Sequence, residues 1–266
     1  LSGLLASKFR GRGTDFAEVR VYQPGDDVRT IDWRVTARMQ TPHTKIFQEE
    51  KERPVLILVD QSASMFFGSK VAFKSVVAAE AAALVAWTTL DRGDRVGGIV
   101  FSESQHREVR PRRSKHSVLR LLNEIHAFNH LLSKQALNQA PNKETPVHYL
   151  AEALRNVRRV AKHGSAIFLI SDFRSFNEQA RIHIRQLARH NDIVGILTFD
   201  PLEKSLPVPD LYTITNGQSK ARINTADRHF RKQYKQSYDE YIAEIRSEFA
   251  RIKSPLLTLS TEEPIG

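Results

Sequence analysis

Val55-Leu56-Ile57-Leu58-Val59-Asp60-Gln61-Ser62-Ala63-Ser64 is the stretch on which the reading of this chain turns. Five aliphatic residues without alternation read as a parallel strand buried on both faces. Ligand sites in open α/β sheets lie in the crevice beyond the carboxyl ends of the strands. The residues after Val59 therefore put one carboxylate and two hydroxyls where such a sheet binds things. All are hard oxygen donors, suited to Mg²⁺, Mn²⁺ or Ca²⁺.

Working outward, strand and helix signals alternate. Residues 69–90 read as a helix with Ala72, Val76, Ala79, Ala83, Ala86 and Leu90 on one stripe. A strand follows over residues 96–101, with residues 107–109 placed to pair with it as a hairpin. Ser114 is a cap for a helix carrying Val118, Leu121, Leu122 and Ile125. Residues 130–144 read as a polar loop, and Pro146 suits the first turn of a helix ending near Gly164. Ala166-Ile167-Phe168-Leu169-Ile170 is a second buried strand, ending at Ser171-Asp172. A helix over residues 178–189 leads to a strand over 193–199, which ends at Asp200-Pro201.

This alternation predicts a doubly wound, mainly parallel α/β sheet over residues 53–200. Residues 1–52 read as a β-rich N-terminal cap, with Pro24-Gly25 at the centre of a type II turn. Residues 201–266 read as a C-terminal extension that completes the core. Asn216-Gly217 marks a hairpin there. A helix striped by Phe230, Tyr234, Tyr238, Tyr241, Ile245, Phe249 and Ile252 follows, and Leu256-Leu257-Thr258-Leu259 closes the sheet.

Composition narrows the class. At 266 residues and 41% hydrophobic, the chain can bury a large core and is not disordered. Forty Lys and Arg against 30 Asp and Glu give a formal charge of +10, which favours acidic partners without naming them. Absence of Cys excludes disulfides, thiolate metal sites and a Cys nucleophile. It fits a reducing compartment, and a cytoplasmic location is expected. No apolar run approaches the ~20 residues needed to span a bilayer, so no membrane segment is expected in this chain. The opening Leu1-Ser2-Gly3-Leu4-Leu5 has no initiator Met and no signal-peptide pattern, as in a fragment of a longer protein.

Oxygen groups gather at three places: Asp60, Ser62 and Ser64 after the first sheet strand, Asp172 after the fourth, and Thr145 in the loop before a helix. In the doubly wound order 3-2-1-4-5-6 the first and fourth strands are neighbours. Two carboxylates ~4 Å apart repel by ~4 kcal/mol at an effective dielectric of ~20. A divalent cation removes that penalty; a shared proton or a nearby Lys is the competing solution. Hydroxyls coordinate without adding charge, so a metal with only two carboxylates stays electrophilic toward a carboxylate from a partner. The bland reading of Asp-x-Ser-x-Ser is turn formation and helix capping. Its position after a buried strand, with Ser171-Asp172 after another, weighs against that reading.

These residues resemble the metal-ion-dependent adhesion site of von Willebrand factor A domains. The head narrows the likeness. Gly11-Arg12-Gly13-Thr14-Asp15-Phe16, Arg20-Val21-Tyr22-Gln23-Pro24-Gly25-Asp26-Asp27-Val28-Arg29, Ile31-Asp32-Trp33-Arg34 and Thr36-Ala37-Arg38 are similar to the signature of a bacterial von Willebrand A-like family, domain of unknown function 58. The resemblance implies a non-catalytic, metal-dependent protein-binding module. Asp60, Ser62 and Ser64 would hold Mg²⁺ (or Mn²⁺ or Ca²⁺), Thr145 would be the switchable ligand, and Asp172 would act directly or through water. A partner's Asp or Glu would complete the octahedron, with Gln61, Arg112 and Arg113 as partner-contacting residues. The third motif departs from the frequent Gly-Gly-Thr-Asp, because Lys143-Glu144-Thr145-Pro146 stands there and Glu144 could intrude. The family is usually encoded beside MoxR-type AAA+ ATPases, which implies such a partner in assembling or remodelling other proteins. In the head, Asp26, Asp27, Arg29, Asp32 and Arg34 are expected to form a structural ion-pair network.

Two rivals come from other classes. A phosphotransferase of the haloacid-dehalogenase type also starts from an Asp after the first strand. It needs a second carboxylate two residues later, where this chain has Ser62. A nucleic-acid module would use Arg107, Arg110, Arg112, Arg113, Lys115 and His116, but no aromatic residue interleaves that run. The phosphate-binding loop, the dinucleotide-binding glycine turn, the nucleophile elbow and the His-Glu-x-x-His zinc motif are all absent.

Overall fold

Residues 14–49, 53–138, 148–215 and 220–263 are described in a computed structural model, in which the chain divides into two units, residues 1–52 and 53–266. In the smaller unit, β1 (Thr14–Val21) pairs antiparallel with β2 (His43–Glu49). A 3-10 turn (Val28–Thr30) and α1 (Trp33–Met39) lie between them in sequence. Gly25 takes φ +109° and Asp26 N donates to Gln23 O at 3.0 Å, closing the turn that Pro24-Gly25 predicts. Acids expected in an ion-pair network serve largely as caps. Asp27 accepts from Arg29 N at 3.0 Å, and Asp32 accepts from Arg34 N and Val35 N at 3.0 and 3.2 Å. Helix starts leave N–H groups without partners, and a preceding Asp satisfies them. Among the described residues of this unit the ion pairs are Arg20–Asp26 at 2.7 Å and Lys45–Asp32 at 3.4 Å.

The larger unit is a six-stranded sheet built from β3 (Pro54–Asp60), β4 (Arg95–Phe101), β5 (His106–Arg112), β6 (Ala166–Ser171), β7 (Asp192–Phe199) and, last in sequence, Leu256–Ser260. A separate antiparallel hairpin is formed by β8 (Leu211–Thr215) and β9 (Lys220–Asn224), so the last sheet strand is β10. The order β10-β7-β6-β3-β4-β5 is the predicted doubly wound order read from the other edge. Only β5 runs antiparallel. Residues Asn216 and Gly217 lie outside the described residues.

Helices cover both faces. They are α2 (Lys74–Asp91), α3 (Lys115–Asn138), α4 (Tyr149–Val160), α5 (Glu178–Ala188), α6 (Pro201–Lys204) and α7 (Arg228–Arg251). Alternate residues of β3 serve two cores. Leu56 and Leu58 pack with Leu154, Ile184 and Phe249, whereas Val55, Ile57 and Val59 pack with Ala78, Ala82, Val118 and Leu121. A strand buried on both faces must be apolar at every position, which is why its sequence does not alternate. Gly98 permits the close approach of β4, since a Cβ there would lie 2.2 Å from the Ile57 carbonyl oxygen. Edge strand β5 buries only Val109 among its charges and carries Pro111.

Three expectations shift. Helix α2 begins at Lys74 rather than near residue 69, because residues 69–73 form a loop anchored by Ser69 to Asp200 and by Lys74 N to Phe67 O. Its buried apolar residues are Val77, Ala78, Ala81, Ala82 and Ala86, which share Ala86 with the predicted stripe and otherwise lie beside it; a helix with alanine on most sides gives a blurred phase. Helix α3 continues through Asn138, so residues 130–138 of the expected loop are helical; Phe128 and Leu132 supply the buried face. No helix among the described residues is long and apolar enough to cross a membrane.

Candidate metal centre

Asp60 ends β3 with no solvent exposure. Its Oδ1 accepts from Ser62 N at 2.9 Å, and its Oδ2 accepts from Ser171 Oγ at 2.6 Å. The chain then makes one 3-10 turn, Ala63–Met65, pinned by the buried Met65. Ser62 stands at the N-cap of that turn, yet its side chain makes no capping hydrogen bond. The two hydroxyls instead face each other, Ser62 Oγ to Ser64 Oγ at 3.1 Å. Capping therefore does not account for Ser62. Ala63 N donates to Glu103 Oε1 at 2.6 Å, which fixes the turn from β4's side.

Asp172 follows β6, the immediate neighbour of β3, and is buried. Phe173 holds φ +59° there, a conformation a non-glycine residue adopts only when its surroundings enforce it. Its ring is locked edge-on against Phe176 and Phe249, and its N–H donates to Ser171 Oγ at 2.8 Å. Asp172 Oδ1 accepts from Arg174 N at 3.0 Å and Oδ2 from Lys74 Nζ at 2.7 Å. Lys74 Nζ also reaches Glu203 Oε1 at 2.8 Å, and Arg174 reaches the same oxygen at 3.2 Å. The Tyr241 hydroxyl donates to the Asp172 carbonyl.

Counting charges isolates Asp60. Lys74 and Arg174 stand against Asp172 and Glu203. Among the described residues, Asp60 is held by neutral donors alone. Burial, and then the charge of Asp172, push its pKa up to about 7, against the pull of hydrogen bonds from Ser171 and Ser62. Tyr149, at the start of α4, belongs to the same centre: burial and the Asp60 charge raise its hydroxyl to about 12, opposed by a hydrogen bond with Ser62.

The structure thus brings Asp60, Ser62 and Ser64 together and sets Asp172 on the adjacent strand end. Gln61 is turned inward. It is fully buried, donating to Ser75 O at 3.0 Å and accepting from Asn129 at 3.2 Å, which leaves its side chain no surface to offer a partner. Arg112 and Arg113 are exposed at the opposite end of the sheet. Arg112 pairs with Val96 whereas Asp60 pairs with Phe101, a separation of roughly 17 Å at strand rise. Thr145 and Glu144 lie outside the described residues. Sequence reading placed Ser171 at the strand end without giving it a role, and missed Lys74, Tyr149 and Glu203. Lys74 had one available signal, its place at the start of the helix that returns from β3, where helix N-termini crowd the strand ends.

The donor set fits a hard divalent cation: one carboxylate without a counter-charge among the described residues and two hydroxyls free of capping duty. Among the described residues no group of three or more His, Cys, Asp or Glu could hold a metal, so a carboxylate-rich cage is not what these residues build.

Sheet order and the single antiparallel edge strand define the class, a doubly wound α/β domain. The chain belongs to the family described as protein of unknown function DUF58, whose model matches residues 18–244. Uncharacterized proteins of Mycobacterium bovis and Mycobacterium tuberculosis are each 28% identical over 253 residues, which is 95% of this chain and 76% of theirs. Among solved structures, the chain is similar to the conserved hypothetical protein BatB from Bacteroides thetaiotaomicron, at 15% identity, 78% of this chain, 90% of that one and a TM-score of 0.43. It is also similar to a von Willebrand factor type A protein from Catenulispora acidiphila, at 16% identity, 59% of this chain, 35% of that one and a TM-score of 0.39.

Proposed function

We propose that this chain is a non-catalytic protein-binding module whose contact with its partner runs through a divalent cation, Mg²⁺ in the first instance. One observation carries the reading: Asp60 is a buried carboxylate that, among the described residues, is hydrogen-bonded by neutral donors alone, set next to the paired hydroxyls of Ser62 and Ser64. Asp60 supplies the negative charge, and Ser62 and Ser64 supply neutral oxygens. Asp172 acts from the neighbouring strand, through water, and Thr145, which precedes α4 in sequence, is the further candidate. When bound, the cation supplies a Lewis-acidic position that an Asp or Glu of the partner can occupy.

The Asp60–Ser62–Ser64 turn lies on the crevice side of the sheet, where open α/β folds bind ligands. Family resemblance points to a MoxR-type AAA+ ATPase, or its client, as the partner, in a cytoplasmic setting. The basic surface, at a formal +10, suits such an acidic contact.

Calorimetric titration with Mg²⁺ and Mn²⁺ tests the centre, and a pulldown from native extract with and without chelator tests its use. Binding should vanish in Asp60→Asn, and a set of captured proteins should depend on both metal and Asp60. Generic phosphate esters should not be turned over. A partner list indifferent to chelator and to Asp60 would sink the metal bridge, and Mg²⁺-dependent phosphatase turnover lost in Asp60→Asn would make the protein an enzyme.

A further inference from the structure

Lys74 is the least expected side chain at this centre. It has no solvent exposure and opens helix α2, where the helix dipole disfavours a cation. Neither water nor the dipole stabilises its ammonium. The two carboxylates at 2.7 and 2.8 Å, Asp172 and Glu203, do so instead. The same contacts constrain Asp172. One of its oxygens faces Lys74 and the other faces Arg174 N, whereas both oxygens of Asp60 face neutral donors.

Glu203 adds rigidity, because its other oxygen accepts from Asp200 N at 3.0 Å in the capping box that starts α6. Besides Asp172, Lys74 is therefore gripped by a second carboxylate that is itself fixed.

We propose that Lys74 is a tethered counter-ion that reserves Asp172 from the metal, so that Asp60 is the only carboxylate of the described strand ends to bind the cation directly. This rests on the metal reading above and deepens it. A centre built this way binds its cation weakly by itself and leaves it electron-poor. Affinity then rises when an incoming Asp or Glu supplies the negative charge that Asp172 withholds. Lys74 is a positioning residue in this scheme, acting through Asp172.

The test is a double-mutant cycle on the full chain, read by Mn²⁺ affinity in calorimetry and electron paramagnetic resonance. Lys74→Met should bind Mn²⁺ at least tenfold tighter than wild type, ~1.4 kcal/mol. Asp172→Asn in the wild-type background should weaken binding at least tenfold less than Asp60→Asn does. In the Lys74→Met background, Asp172→Asn should erase the gain. A purely structural role for Lys74 would move folding without coupling its effect to that of Asp172.

Equal damage from Asp172→Asn and Asp60→Asn in otherwise wild-type protein overturns the inference while leaving the metal centre standing. So does a Lys74→Met protein that folds and binds no tighter. Should Lys74→Met not fold, the comparison of Asp172→Asn with Asp60→Asn decides alone. Binding in Lys74→Met but not in wild type supports the tether in its strongest form. Silence in every variant removes the metal reading and this inference with it.

Discussion

Asp60 and Asp200 occupy the same kind of place and have opposite chemistry. Asp60 ends β3 and Asp200 directly follows β7, at the same end of the sheet, and neither has solvent exposure. Burial alone would raise both pKa values. At Asp200 that push is outweighed by Thr261 Oγ1 at 2.5 Å, Leu202 N at 2.9 Å and Ser69 N and Oγ at 2.7 and 2.9 Å, and its pKa is lowered. Asp60 has fewer donors and a like charge next to it, and rises to about 7. The count of donors converts one strand-end carboxylate into a fastener and leaves the other in want of a cation.

Breaking the fastener should have the largest effect. Asp200→Ala orphans the Thr261, Leu202 and Ser69 donors and removes the cap of α6, so it should cost about 3 kcal/mol in urea unfolding. Asp60→Asn should act in the other direction when metal is absent. With chelator at pH 8 it should gain on the order of 2 kcal/mol, because a charge no longer has to be kept desolvated. The same substitution should abolish metal binding.

The pH dependence separates the two acids. Asp60 has a folded pKa above its ordinary value of 3.8, so its contribution is full below that value and is lost as pH rises through about 7. Asp200, lowered when folded, contributes above its ordinary value and loses that contribution as pH falls. Metal-free wild type should therefore lose stability between pH 4 and 7 relative to Asp60→Asn, and saturating Mg²⁺ should abolish the difference in slope; thermal melts across that range measure it. The smallest effect is expected for Ser171→Ala, which removes one bond to Asp60 and the acceptor of Phe173 N. It should cost about 1 kcal/mol and move the Asp60 titration, followed by carboxyl NMR, further upward.

The sheet was legible in the sequence because doubly buried strands have no room for polar residues. Residues 55–59, 166–170 and 193–199 needed no context to be placed. Asp60, Ser62, Ser64 and Asp172 were legible as strand-end groups for the same reason. Lys74 was not, since Lys70 and Lys74 look alike in a helix start and only tertiary geometry buries one of them. Residues 130–138 looked like a loop because their polar side chains outnumber the apolar ones. Helix α3 needs only a narrow apolar face there. In the head, the acids of the signature read as partners for arginine, whereas backbone N–H groups claim Asp27 and Asp32 first.

The two margins of the sheet are unequally defended. On one side, His106-Arg107-Glu108-Val109-Arg110-Pro111-Arg112 offers an intruding strand a row of charges and a residue without a backbone donor. On the other, Leu256-Leu257-Thr258-Leu259-Ser260 carries no charge at all, with Leu257 exposed. Among the described residues, self-assembly by strand addition, if forced by concentration or heat, has one uncharged edge from which to start. A lysine at position 257 would close it.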